Sequence, residues 1–123
     1  MRASELYEEP EWAKPCWIVA FHKTFGLTDG ACKALARKHG WDGHSFGITN
    51  NTCYLMLTEL LGRKPRLDTT TGKGKTPKQF GATRPAGKGF VMTKDHVMPW
   101  VNGTVSNFNG YGDDPVILIM HHN

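Results

Sequence analysis

The stretch His96-Val97-Met98-Pro99-Trp100-Val101-Asn102-Gly103-Thr104-Val105-Ser106-Asn107 decides how this chain folds. Two strand-forming runs flank Asn102-Gly103, the dipeptide that type I′ hairpin turns select because both central residues need positive φ. A two-residue loop fixes the register, so Val101 faces Thr104, Trp100 faces Val105 and Met98 faces Asn107. Side chains alternate across a strand, which puts His96 on the face of Met98. His96 and Asn107 are then diagonal neighbours, roughly 7–8 Å apart at the backbone, within reach of an amide-to-imidazole hydrogen bond.

Working outward, "GFVMT" from Gly89 and "PVILIM" from Pro115 are further short β-type runs bounded by turn residues. Upstream the periodicity changes. Ile18, Phe21 and Phe25 recur at helical steps, with Trp17 and Ala20 beside them. Pro15 suits a first helical position because its missing N–H would have no partner there. Cys16 therefore falls in the first turn. A second helix is expected from a Thr28 or Asp29 cap through His39, stopped by Gly40. A third, "NNTCYLMLTELLG", has an asparagine cap, an apolar side of Leu55, Leu57, Leu60 and Leu61, and Gly62 to end it. Helices first and strands second give an α+β domain, N-terminal helices packed on a C-terminal antiparallel sheet. Residues 1–14 form an arm. Residues 63–88, rich in Gly, Pro, Thr and Lys, form a long connection with one short helical turn near Phe80. There are no internal repeats.

At 123 residues with 39% hydrophobic content, the chain suits one domain. No run of apolar residues is long enough for a membrane span, and the acidic start lacks the apolar core of a signal peptide. Cys16, Cys32 and Cys53 are an odd set without a CxxC pair, which points to a reduced, cytoplasmic setting rather than a disulfide scaffold. The Asn-x-Thr sequons at Asn50 and Asn102 then carry no glycan. Cys32 and Cys53 read as buried and inert. The net charge of +4 is uneven: residues 63–88 hold eight Lys or Arg and one acid, Asp68. An acidic substrate or protein partner would meet Arg63, Lys64, Arg66, Lys73, Lys75 and Lys78 first. No aromatic platform interleaves these cations, which argues against nucleic acid. Gly74-Lys75-Thr76 imitates the end of a Walker A loop, but the earlier glycine is Thr69 and Pro77 stands where the helix should begin, so nucleotide binding is rejected. His39 and His44 near Cys32 and Cys53 lack zinc spacing, and His121 and His122 read as a frayed tail rather than metal ligands. No cofactor or metal is expected.

A thiol at a helix start, a histidine on a strand and an amide beside it are the parts of a thiol hydrolase. The helix N-terminus and an imidazolium both favour thiolate. The histidine carries the proton and the third group fixes its tautomer. Cys16, His96 and Asn107 fill those roles, with Asp113 and Asp114 as substitutes for Asn107.

In this order and spacing, Cys16 with Trp17 and Phe21 following, then His96, Asn102-Gly103 and Asn107, the chain resembles the papain-like cysteine peptidase fold. More closely, it resembles the small phage and bacterial proteins with a reduced form of it. The resemblance runs from Cys16 to about Val105. It implies a Cys-His-Asn hydrolase of a peptide, isopeptide or related amide bond in the cytoplasm, that of a bacterial host if the protein is phage-encoded. The papain pattern takes an oxyanion donor from a glutamine shortly before the cysteine, but the sole glutamine here is Gln79. Backbone N–H groups at Cys16 and Trp17, or the side chain of Lys14 or Trp12, are the substitutes. The alternative is a binding protein on the same fold with unused catalytic residues, such as a phage-encoded inhibitor or modulator of a host protein.

Overall fold

The computed structural model describes residues 13–123. Most of the N-terminal arm, Trp12 included, lies outside the described residues. Helix α1 (Cys16–Phe25) follows Pro15 and stops at Gly26, whose φ of 72° is left-handed and favours glycine. Helix α2 (Asp29–Lys38) is capped by the Thr28 hydroxyl, which accepts from the Ala31 N–H. Helix α3 (Asn50–Leu61) ends at Gly62 as expected, but its cap is Thr49 rather than an asparagine. Thr49 has the extended backbone a cap requires, and its hydroxyl takes the Thr52 N–H at 3.1 Å.

Five antiparallel strands follow: β1 (Arg66–Asp68), β2 (Lys88–Met92), β3 (Val97–Val101), β4 (Thr104–Val105) and β5 (Leu118–His121), in the order β1-β5-β2-β3-β4. With the helices they make the expected α+β class. The Asn-Gly turn sets the register as read: Trp100 pairs with Val105 and Val101 with Thr104, with Asn102 at φ 46° and Gly103 at φ 86°. One more bond, from the Ser106 N–H to the Pro99 carbonyl at 3.1 Å, follows before Asn107 turns away at φ 57°, so Met98 and Asn107 are not ladder partners.

The segment 63–88 carries more structure than a connection. β1 lies within it and pairs Leu67 with Met120, through main-chain bonds that leave no side-chain periodicity to read. Helix α4 (Pro77–Ala82), containing Phe80, is fixed by a capping box in which Thr76 and Gln79 bond each other's backbone. The C-terminus is likewise ordered. His121 belongs to β5 and sits 2.9 Å from Asp68, and the His122 N–H bonds the Lys88 carbonyl.

Alternation divides the core in two. Phe90, Met92, Val97 and Met120 point to one face and pack with Trp17, Ile18 and Phe21 of α1 and Met56 and Leu57 of α3. Val91, Met98, Trp100 and Ile119 point to the other, against Phe80, Val105 and Val116, with Phe108 and Tyr111 covering them. Gly89 is required between the layers, since a β-carbon there would lie 2.4 Å from the Met120 carbonyl. Among the described residues no helix is long and apolar enough to cross a membrane.

Candidate active site: Cys16 and His96 at one end of the sheet

The β2–β3 loop is Lys94-Asp95, closed by the Thr93 N–H bonding the His96 carbonyl at 2.9 Å. His96 therefore stands at the end of the sheet. Antiparallel pairs alternate between bonded and non-bonded, so after the Thr93–His96 pair the Met92–Val97 pair is non-bonded. The Val97 N–H then points away from β2, and β4 is too short to take it.

That N–H meets Cys16. The start of α1 packs against this end of β3, and the backbone N–H groups of Val97, Trp17 and Cys16 all favour the thiolate. Burial of the partly buried residue outweighs them and holds its thiol above the ordinary cysteine range. α1 differs from the other three helices. Thr28, Thr49 and Thr76 cap theirs, whereas Pro15 has no capping side chain, so among the described residues the N–H groups of Cys16 and Trp17 have no capping oxygen and face the sulfur instead.

Cys16 and His96 line one cavity of about 260 Å³, together with Trp17, Gly47, Asn50 and Lys94. Buried to 6% exposure, His96 directs Nε2 at the Asn107 carbonyl oxygen, 2.7 Å away. Burial pulls its pKa below the ordinary histidine value, and the Asn107 carbonyl opposes that shift. A carbonyl only accepts, so Nε2 carries the proton and the neutral ring's Nδ1 is the basic nitrogen. Asn107 thus meets the histidine as anticipated, but through its main chain instead of its amide.

The remaining sequence candidates fall elsewhere. Lys14 forms an ion pair with Asp29 at 3.4 Å, and the Trp17 indole N–H bonds the Phe46 carbonyl, leaving the Trp17 main-chain N–H as its contribution. Of the basic residues, Arg63 bonds the His122 carbonyl, Arg66 approaches Asp68 and Lys78 pairs with Asp113; neither these nor Lys64, Lys73 and Lys75 line the cavity. The cavity's cation is Lys94. Asp113 is held by Lys78, and neither it nor Asp114 lines the cavity. Cys32 and Cys53 are buried and free, Cys32 pushed up to about 12 by burial and by Asp29, and Cys53 pushed up by burial. Among the described residues no group of three or more His, Cys, Asp or Glu side chains could hold a metal ion. Sequence reasoning missed Tyr111, whose ring lies parallel to that of His96, and the Gly47–Asn50 wall, which has no motif to announce it.

No protein-family model, curated protein or solved structure matches the chain.

Proposed function

We propose that the chain is a papain-like cysteine hydrolase acting on a peptide, isopeptide or related amide bond. The observation that carries this reading is the tautomer at His96: Nε2 is committed to a carbonyl, and His96 and Cys16 line the same cavity. The raised thiol and lowered imidazole make the resting pair neutral. Attack is then base-assisted: the Cys16 S–H proton passes to His96 Nδ1 as sulfur bonds the carbonyl carbon. The free N–H groups of Cys16 and Trp17 stabilise the oxyanion. The C–N bond breaks as His96 returns the proton to the leaving nitrogen, and water, deprotonated by His96, cleaves the thioester.

The raised Cys16 thiol also supports a second reading, a binding protein on a papain-like scaffold, such as a modulator of a host protein, in which the thiol is a core residue. Alkylation with iodoacetamide, followed at each cysteine by mass spectrometry across pH, separates the two. Cys16 is expected to react at pH 7 while Cys32 and Cys53 stay protected, and His96→Ala to slow Cys16 about a hundredfold, the scale of general-base assistance. An unchanged Cys16 rate in His96→Ala would sink the hydrolase and leave the binding protein.

A further inference from the structure

We infer that the Ser106–Tyr111 loop is a clamp for His96 and that Tyr111 is a positioning residue, an inference that rests on His96 acting as the base. The loop holds the imidazole in two directions at once. Asn107 presents its carbonyl to Nε2 at 2.7 Å, fixing the ring's rotation within its plane. Tyr111 lies flat on the ring, centroids 4.6 Å apart and planes 12° from parallel, fixing the plane itself. One contact without the other leaves a rotation free.

The loop is wound to deliver both. Asn107, Asn109 and Gly110 all have positive φ, at 57°, 44° and 86°. Asparagine and glycine are the residues that tolerate this, and three within four positions reverse the chain tightly enough to bring Tyr111 back over His96 at the start of β3. The Tyr111 N–H closes the turn on the Phe108 carbonyl at 2.7 Å, and the Gly112 carbonyl accepts the Lys78 N–H of α4. Phe108 and Tyr111 pack on the Phe80, Trp100 and Val105 cluster, so the loop rests on the core rather than on solvent. Among the described residues only burial and the Asn107 carbonyl act on the imidazole, and no charged group does. The clamp sets tautomer and plane, so that Nδ1 is the nitrogen left for Cys16.

The test uses three variants of the full chain, Tyr111→Phe, Tyr111→Leu and Tyr111→Ala, with two readouts. Long-range ¹H–¹⁵N correlation reads the His96 tautomer, and iodoacetamide reads the Cys16 rate at pH 7. Wild type and Tyr111→Phe are expected to show the Nε2–H tautomer and equal rates. Tyr111→Leu keeps the apolar cover but not the flat stack. It and Tyr111→Ala are expected to show mixed tautomers and a rate about tenfold lower, as misplacement of a base produces. The loss should vanish in a His96→Ala background. A folded Tyr111→Leu that keeps the wild-type tautomer overturns the clamp whatever Cys16 does. If His96→Ala leaves Cys16 unchanged while the tautomer still responds to Tyr111, the hydrolase reading has failed and the clamp has not.

Discussion

His96 and His122 mark opposite ends of the same sheet and differ in almost nothing a composition would notice. Both are buried, at 6% and 5% exposure. Each ring stacks on an aromatic neighbour, His96 on Tyr111 and His122 on Phe25, and burial lowers the pKa of each. Their nitrogens differ. His96 has Nε2 on a carbonyl and lines a cavity together with a thiol, whereas among the described residues neither ring nitrogen of His122 has a hydrogen-bond partner. Burial and a displaced pKa alone therefore do not make a site. What sets His96 apart is a fixed tautomer and a place on the cavity that Cys16 also lines.

The largest expected effect falls on the unpartnered ring. His122 is brought down to about 4 by burial and by the nearby charges of Lys88, His121 and Arg63. Its folded pKa lies below the unfolded value, so between about pH 6.5 and 4 the unfolded chain gains a proton that the fold refuses, and stability falls with pH. The full shift corresponds to about 3 kcal/mol. Urea unfolding from pH 7 to 4 should show this slope, and His122→Phe, placed between Phe25 and Phe90, should flatten it and stabilise the protein. Cys16 alkylation should not change. A slope that survives His122→Phe would mean that the acid sensitivity lies elsewhere.

The contrast extends to the helix ends beside His96. Thr49→Ala removes a hydroxyl that caps α3 and should cost about 1 kcal/mol of stability. Pro15→Ser supplies α1 with the cap it lacks and should add up to about 1 kcal/mol. It should also slow Cys16, because the new hydroxyl competes with the sulfur for the same N–H groups. Thermal unfolding and alkylation of the two variants together check this; a Pro15→Ser protein that gains stability at undiminished rate would remove the free N–H groups from the mechanism.

What the sequence made legible follows from how local each signal is. The Asn102-Gly103 turn fixes pairing within two residues, and the helix stop at Gly62 needs only its own backbone, so these were readable. β1 was not, because three residues pairing with β5 more than fifty positions away leave no period. The ordered tail escaped for the same reason: His121 is held by Asp68, which only the sheet brings near. At the site, His96 and Asn107 were found through hairpin register, but the amide was credited with a contact that the carbonyl makes. Register places a Cα and says nothing of a positive φ that rotates the peptide beyond it. Tyr111 was out of reach, because its stack depends on how the loop returns.

The smallest effect is the sharpest test of that last point. Asn107 sits at φ 57°, where glycine is at ease and asparagine is tolerated. If the imidazole is held by the main chain, Asn107→Gly keeps the carbonyl and the backbone turn that aims it. Its stability should then shift by only a few tenths of a kcal/mol, and the Cys16 rate should stay within about twofold, since no partner of His96 is lost. Asn107→Ala also keeps the carbonyl but bears a β-carbon at positive φ, which costs about 1 kcal/mol and loosens the loop. The order glycine above alanine identifies the backbone as the partner, because a side-chain role would penalise both substitutions alike. A Cys16 rate that falls tenfold or more in a folded Asn107→Gly protein would return the role to the amide, and His96 would then be oriented by a group that this geometry does not bring to it.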